Sequence, residues 1–272
     1  MSDAPPVPLP VNRYRIGIDI GGTFTDVVLF DQQAGVLQLV KVPSVPADPA
    51  AGFLAGFDRA VPRDSFPMQA LGFVGHGTTV ATNAIIEGKG AEVGLLTSEG
   101  FSDVLEIAYQ TRPDQFDLMY DKPRPLVPRR RALGVPERLG PDGQVLVPLD
   151  EAAAVEQATR LVAMGAQVVV IAFLHAYRFP DHERRAAAAI GRAIPGLPVV
   201  LSSDVCPEYR EYPRTSTAVV NALLLPRVGS YVARLTQALA ERAVRSDVHL
   251  MTSSGGVMAG RAISGRGRCG TG

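Results

Sequence analysis

The chain has 272 residues, 27 Lys plus Arg against 27 Asp plus Glu, 46% hydrophobic residues and two cysteines. Balanced charge offers no basic surface for nucleic acid or an anionic membrane, and two cysteines are too few for a disulfide scaffold or a zinc site. No stretch approaches the roughly 20 apolar residues of a membrane span, so a soluble α/β protein of a reducing cytoplasm is expected.

Residues 1–13, "MSDAPPVPLPVNR", are proline-rich and lack a cationic n-region and an apolar h-region, so they read as a flexible leader. Residues 13–31, "RYRIGIDIGGTFTDVVLFD", then read as two strands around a tight turn, because Tyr14, Ile16, Ile18 and Ile20 alternate with Arg15, Gly17 and Asp19 before Gly21-Gly22-Thr23. Two glycines between strands are an ordinary hairpin signal. They also remove Cβ atoms where backbone meets a ligand, and turn N–H groups can converge on an anion beside Thr23 and Thr25. Asp19 at the strand end suits a hydrated Mg²⁺, and Asp26 repeats the demand for a cation or donors. The spacing is neither a Walker A loop nor GxGxxG; it resembles the first phosphate motif of the actin, Hsp70 and sugar-kinase superfamily.

A third strand is expected over 36–42, then a helix with Asp48 as N-cap and Pro49 in its first turn, and a fourth strand over 71–74 running into Gly75-His76-Gly77. A helix over 79–87 and a strand over 92–96 follow. Three meander strands and then crossovers describe a ribonuclease-H-like mixed sheet with flanking helices. Residues 109–148 turn to Pro, Arg, Asp and Gly, a surface excursion or lid, and "PRRRA" at 128–132 reads as a solvated basic loop. Order returns with helices over 151–164 and 181–193 and strands over 167–174 and 199–202. A helical region over 214–245, interrupted near Pro226, leads to a strand over 248–252 and the turn Ser253-Ser254-Gly255-Gly256.

The second constellation is "GHGTTVATNAIIE" at 75–87, a strand-to-helix junction suited to a phosphate or carboxylate. Taken singly, His76 is more often a surface or capping residue than a catalytic one, and Thr78 or Thr79 could simply cap the helix. Asn83, four residues after Thr79, shares its side of the helix. Arg210, Glu211, Arg214 and Thr215 read either as a clamp for phosphate or carboxylate or as a helix-surface ion-pair set. Cys206 reads as a structural thiol.

Together these segments resemble the hydantoinase A and 5-oxoprolinase family, which also contains the nucleotide-binding subunits of acetone-type carboxylases. The likeness rests on "GIDIGGTFTDVVLF", on "HGTTVATNAIIEGKGAEVGLLTSEGFSDVLEI", on "EYREYPRTSTAVVNALLLP" and on "SSGGVM". It implies an ATP-dependent hydrolase, often paired with a B-type subunit, that opens a cyclic amide such as a hydantoin or 5-oxoproline through a phosphorylated intermediate. On this resemblance Asp19 holds Mg²⁺, Gly21, Gly22, Thr23, Thr25 and Asp26 form the ATP phosphate site, His76, Thr78, Thr79 and Asn83 lie near the reacting group, and Arg210 or Arg214 contacts phosphate or substrate. It implies an N-terminal family domain over 14–200 and the start of the hydantoinase A core over 201–272.

Family members are longer, and in them the Ser-Ser-Gly-Gly turn leads to an "SGPAGG" segment and a second phosphate loop. Here "RGRCGTG" follows Ile263-Ser264-Gly265, so a truncated chain with its second lobe incomplete and its hydrolysis impaired is expected. The rival expectations are a carboxylase or kinase of the same superfamily and a noncatalytic fragment that joins a B-type subunit.

Overall fold

The computed structural model describes residues 12–111, 114, 116, 117, 119–252 and 256–260. The alternating pattern at the start forms β1, Tyr14–Ile20, and β2, Phe24–Asp31, followed by β3, Val36–Pro43. Helix α1, Pro49–Ala60, starts as expected, with the Asp48 carboxylate accepting from the N–H groups of Ala50 and Ala51. The fourth strand, β4, is Leu71–Thr78 and so takes in His76; α2, Val80–Ile86, is a short helix that buries only Ala84.

The middle of the chain gives β5, Val93–Ser98, the single turn α3, Val104–Ile107, and β6, Ala132–Val135. A two-stranded ribbon of β7, Arg138–Leu139, and β8, Val145–Val147, precedes α4, Glu151–Ala163, and β9, Val168–Ala172. Then come α5, Asp181–Ala193, β10, Val199–Leu201, and the turn α6, Ser202–Val205. The expected excursion is therefore ordered in its second half, where β6 joins a sheet. Its basic cluster is only partly solvated: Arg129 to Arg131 form a 3₁₀ turn, Arg129 pairs with Asp103, and Arg131 pairs with Glu92 and donates to the Met164 carbonyl.

Helix α7, Glu211–Ala240, runs through Pro226 without the expected interruption, and β11, Val248–Met251, and β12, Val257–Ala259, complete the described elements. Pro226 costs the helix one backbone hydrogen bond. It also lies where two compact units divide: one takes the chain to Gly88 and from Arg227, the other is Lys89–Pro226. Residues 253–255 of the Ser-Ser-Gly-Gly turn, the leader up to residue 11 and everything after residue 260 lie outside the described residues.

The first unit is a six-stranded mixed sheet in the order β12-β11-β4-β1-β2-β3, with β1, β2 and β3 an antiparallel meander and β4 and β11 parallel additions. Phe53 and Phe57 of α1 with Tyr231, Val232 and Leu235 of α7 cover one face, burying Ile16, Ile18, Val27 and Val74. Arg242 of the segment after α7 forks onto Asp58 of α1 at 2.7 and 2.8 Å. The meander followed by a parallel strand matches the expected architecture.

One strand is placed differently from the sequence reading. The 92–96 segment does not extend this sheet; β5 enters a second, all-parallel sheet, β10-β9-β5-β6, and β11 takes the place beside β4. All six β5 residues and all five of β9 are buried, the signature of strands covered on both faces. α4 and α5 contribute Ala158, Leu161, Ala186 and Ile190 to one side, and α7 contributes Ala218, Val219 and Ala222 to the other. A crossover helix needs a broad apolar face to lay the next strand beside its own sheet, and α2 turns only Val80 and Ala84 inward while Ile85 and Ile86 are 40% and 77% exposed.

Candidate functional site

The β1–β2 hairpin has two unlike faces. Ile18, Ile20, Thr25 and Val27 are buried, whereas Asp19 and Asp26 are exposed and lie directly opposite each other in the antiparallel register, which puts both carboxylates on one face. The turn closes through Gly21 N–H to the Phe24 carbonyl at 3.0 Å. A Cβ on Gly22 would meet nothing within 4 Å. The N–H groups of Gly22 and Thr23 donate to no acceptor among the described residues, so the tip of the turn offers two adjacent amides over open space.

The turn's reverse side is fully bonded. Ser44, a residue the sequence reading missed, receives its role from three bonds: its Oγ donates to the Gly21 carbonyl at 2.8 Å, its N–H donates to the Thr23 carbonyl at 3.0 Å, and Thr25 Oγ1 is 3.0 Å from Ser44 Oγ. The Ser44 proton is committed to a carbonyl, so Thr25 donates to Ser44. Thr25 is 0% exposed and thus braces the turn from below. Thr23 and Asp26 face outward, and Asp26 spends its charge on Lys41 at 3.0 Å, a pair whose side chains are 54% and 59% exposed.

Asp19 differs from Asp26 in having no hydrogen bond or ion pair among the described residues. Its neighbour across β1–β4 is Gly77, where a Cβ would lie 2.6 Å from Asp19 Oδ1. Gly77 therefore keeps the space that this carboxylate occupies. No group of three or more His, Cys, Asp or Glu side chains gathers as a metal site among the described residues. A phosphate-borne Mg²⁺ asks for less: one or two carboxylates and retained waters suffice, and Asp19 beside the open amides of Gly22 and Thr23 fits that donor set.

His76 sits on the opposite, buried face of β4 and is 0% exposed. Its Nδ1 is 3.0 Å from the carbonyl of Ile18, the residue before Asp19, and its Nε2 is 2.6 Å from the hydroxyl of Tyr231 on α7. A carbonyl only accepts, so Nδ1 carries the proton and Tyr231 donates to Nε2. Burial pushes the imidazole below its usual value, opposed by the Ile18 carbonyl and by Asp19, while burial holds the Tyr231 hydroxyl well above the ordinary phenol range. Thr78 Oγ1 accepts from the Val80 N–H at 3.2 Å, and Asn83 Nδ2 lies 3.4 Å from Thr79 Oγ1, so those two share a side of α2 as expected.

Arg210 and Arg214 belong to the second unit. Arg210 is exposed with φ 83°, whereas Arg214 is 1% exposed and donates to the Phe173 carbonyl at 2.8 Å, to Ser202 Oγ at 3.1 Å and to the Glu208 carbonyl at 3.3 Å. The neighbouring Glu183 carboxylate accepts from Phe173 N–H, from Ser202 Oγ and from the Ser203 N–H and hydroxyl, at 2.6 to 3.0 Å. Burial pushes Glu183 up, opposed by its bonds to Ser202, Ser203 and Phe173, and pushes Arg214 down, opposed first by the Glu183 charge and then by Glu211. Neither the open clamp nor the surface ion pair of the sequence reading describes Arg214; it is a core tie between β9, α6 and α7. A second buried group joins Ser98, Glu137 and His182, with Glu137 between the serine and the histidine, so the imidazole does not contact the Ser98 hydroxyl.

The pattern of the hydantoinase/oxoprolinase N-terminal region matches residues 15–194, and the hydantoinase/oxoprolinase pattern matches residues 214–268. The chain belongs to the hydantoinase/oxoprolinase family. Within it, caprolactamase subunit alpha of Pseudomonas jessenii is 39% identical over 91% of this chain and 36% of its own length, and its crystal structure matches with a TM-score of 0.78. The 5-oxoprolinase of Saccharomyces cerevisiae is 31% identical over 92% of this chain and 22% of its own. A nucleotide-free acetone carboxylase structure covers 94% of this chain with a TM-score of 0.80 at 26% identity, and this chain covers 38% of it. The chain thus spans little more than a third of the caprolactamase subunit's length. No described helix is long and apolar enough to cross a membrane.

Proposed function

We propose that this chain is the first phosphate-binding portion of an ATP-dependent enzyme that opens a cyclic amide. The observation that carries this reading is the hairpin tip: two unbonded N–H groups at Gly22 and Thr23, uncovered space above Gly22, and the unpaired Asp19 carboxylate on the adjoining strand. Likeness to a caprolactamase subunit and a 5-oxoprolinase supports the substrate class, since both act on lactams by name. A lactam has a poor nitrogen leaving group and a resonance-stabilised carbonyl, and ATP supplies the phosphoryl group that converts its oxygen into an activated imidate.

In this reading Gly22 and Thr23 hold phosphate oxygens through backbone N–H groups, the Thr23 hydroxyl adds a donor, and Asp19 orients a hydrated Mg²⁺. Gly21, Thr25 and Ser44 keep the turn in shape, and Asp26 steadies the facing strand through Lys41. His76 acts as a strut: it fixes the carbonyl of Ile18, and with it the position of Asp19, without touching a ligand. Thr78, Thr79 and Asn83 take the substrate side of the same strand end. A partner subunit of B type and a cytoplasmic setting complete the proposal. The acetone carboxylase likeness supports a second reading, carboxylation of a ketone by the same activated-oxygen chemistry.

Titration of the 272-residue chain with MgATP, read by calorimetry and by the amide resonances of Gly22 and Thr23, tests the site. Saturable binding that weakens at least about tenfold in Asp19→Asn, the scale of one lost charge-assisted contact, is the expected result. Binding that Asp19→Asn leaves unchanged overturns it.

A further inference from the structure

The second unit contains a cavity of about 350 Å³ that the phosphate hairpin does not use. Its floor is one face of α7, where Tyr212, Ser216 and Val219 follow at helical spacing, and its walls are Leu105 to Thr111, Tyr120, and Lys122 to Leu126. This volume lies at the small end of the range for small-molecule sites, about 300 to 1,000 Å³.

Three tyrosines line it: Tyr109, Tyr120 and Tyr212. Tyr109 packs edge-on against Tyr212 with ring centroids 4.8 Å apart, so the two rings fix each other's orientation. The wall that holds Tyr109 is also unusual in its backbone. The residues flanking it, Ala108 and Gln110, have φ of 51° and 54°, a conformation that non-glycine residues adopt at a cost and that concentrates at ligand sites.

The charge is placed on the wall after Tyr120. Lys122 donates its Nζ to the Glu106 carbonyl at 3.0 Å, and Arg124 is exposed with no partner among the described residues. Among the lining residues Lys122 and Arg124 outnumber Glu106 by one charge; Asp121, between Tyr120 and Lys122 in the chain, does not line the cavity. Aromatic faces and hydroxyls select a flat, partly polar ring, and a free guanidinium selects a planar anion that accepts two parallel N–H bonds.

We propose that this cavity binds a small ring compound carrying one carboxylate, its ring among Tyr109, Tyr120 and Tyr212 and its carboxylate on Arg124. The inference deepens the proposed function by locating the element that selects the ring, and so rests on that reading for its biological meaning but not for its chemistry. The anion preference comes from Arg124, and the fit of the ring from the three tyrosines and Ser216.

The test uses the full chain and three probes: 5-oxoproline, a five-membered lactam with a carboxylate; caprolactam, a lactam without charge; and inorganic phosphate, an anion without a ring. Binding is read by chemical-shift changes at Tyr109, Tyr212 and Ser216. The expected result is saturable binding of 5-oxoproline, at least tenfold weaker binding of the other two, and at least a tenfold loss of 5-oxoproline affinity in Arg124→Gln. Arg124 is solvent-exposed, so that variant folds as the parent does. Equal binding of caprolactam, an unaffected Arg124→Gln, or no saturable change overturns the proposal. A MgATP titration of the same sample separates the two readings: nucleotide binding without ring binding sinks this inference alone, and ring binding without nucleotide binding sinks the hairpin assignment alone.

Discussion

The β1–β2 hairpin and the Glu183–Arg214 cluster contain the same kinds of residues and put them to opposite uses. Glu183 and Arg214 have their charges satisfied by serines, backbone groups and each other's field, inside a core that excludes water. At the hairpin the bonding is complete only on the underside, through Ser44 and Thr25, and the upper side keeps two amides and a carboxylate unbonded. Residue type is shared; what distinguishes a site from a strut is unused hydrogen-bonding capacity facing open space.

Breaking the closed cluster has the largest expected effect. Arg214→Ala leaves the Glu183 carboxylate buried without its cation and costs about 3 to 5 kcal/mol in urea denaturation, with the MgATP affinity of the folded fraction unchanged. If instead stability holds and nucleotide affinity falls, the comparison is inverted and Arg214 is the ligand clamp of the sequence reading.

Tyr231→Phe comes next. It removes the donor to His76 Nε2 and leaves a buried acceptor bare, at about 1 to 3 kcal/mol. Because His76 holds Ile18, this variant also weakens MgATP binding, whereas a phenylalanine that leaves both stability and affinity intact shows the strut to be idle.

Acidity acts through the same ring. The folded His76 has a depressed pKa, so between that value and the unfolded value near 6.5 the unfolded chain binds more protons. Its contribution is complete above pH about 6.5 and is lost as pH falls through the folded value. Tyr231 and the Ile18 carbonyl bond the ring and Phe53 packs edge-on against it, while Asp19, on the other face of the sheet, works against the shift through its charge. Thermal unfolding from pH 7 to pH 5 is expected to decline more steeply in the parent than in His76→Gln. Parallel declines remove His76 as the titrating group.

The smallest effect belongs to Asp26. Asp26→Asn breaks an exposed pair with Lys41 and changes stability by less than about 1 kcal/mol, and MgATP affinity changes far less than in Asp19→Asn. Equal losses in the two variants would make the carboxylates a joint metal site.

Local chemistry was legible in the sequence and distant chemistry was not. The hairpin, the Asp48 cap and α5 follow from patterns within a few residues, which is why their positions agree with the structure. Tyr231 lies 155 residues from His76 and Ser44 lies 23 from Gly21, and no periodicity connects them. The apolar run of β5 announced burial but not which sheet would provide it, since parallel strands in either sheet read alike. His76 was visible as a residue but not as a strut, because its role depends on which face of β4 it occupies.

Helix α1 approaches the hairpin through two glycines one turn apart. A Cβ on Gly56 would stand 2.8 Å from Val27 Cγ2, and one on Gly52 would stand 3.3 Å from the Val45 nitrogen and 3.6 Å from Thr25 Oγ1. A designer who copies only the six residues from Gly21 to Asp26 onto another scaffold therefore transfers the shape of the loop without its foundation. The portable unit runs from the first strand through the glycine-faced helix, and its smallest members, at 52 and 56, set how closely everything above them can settle.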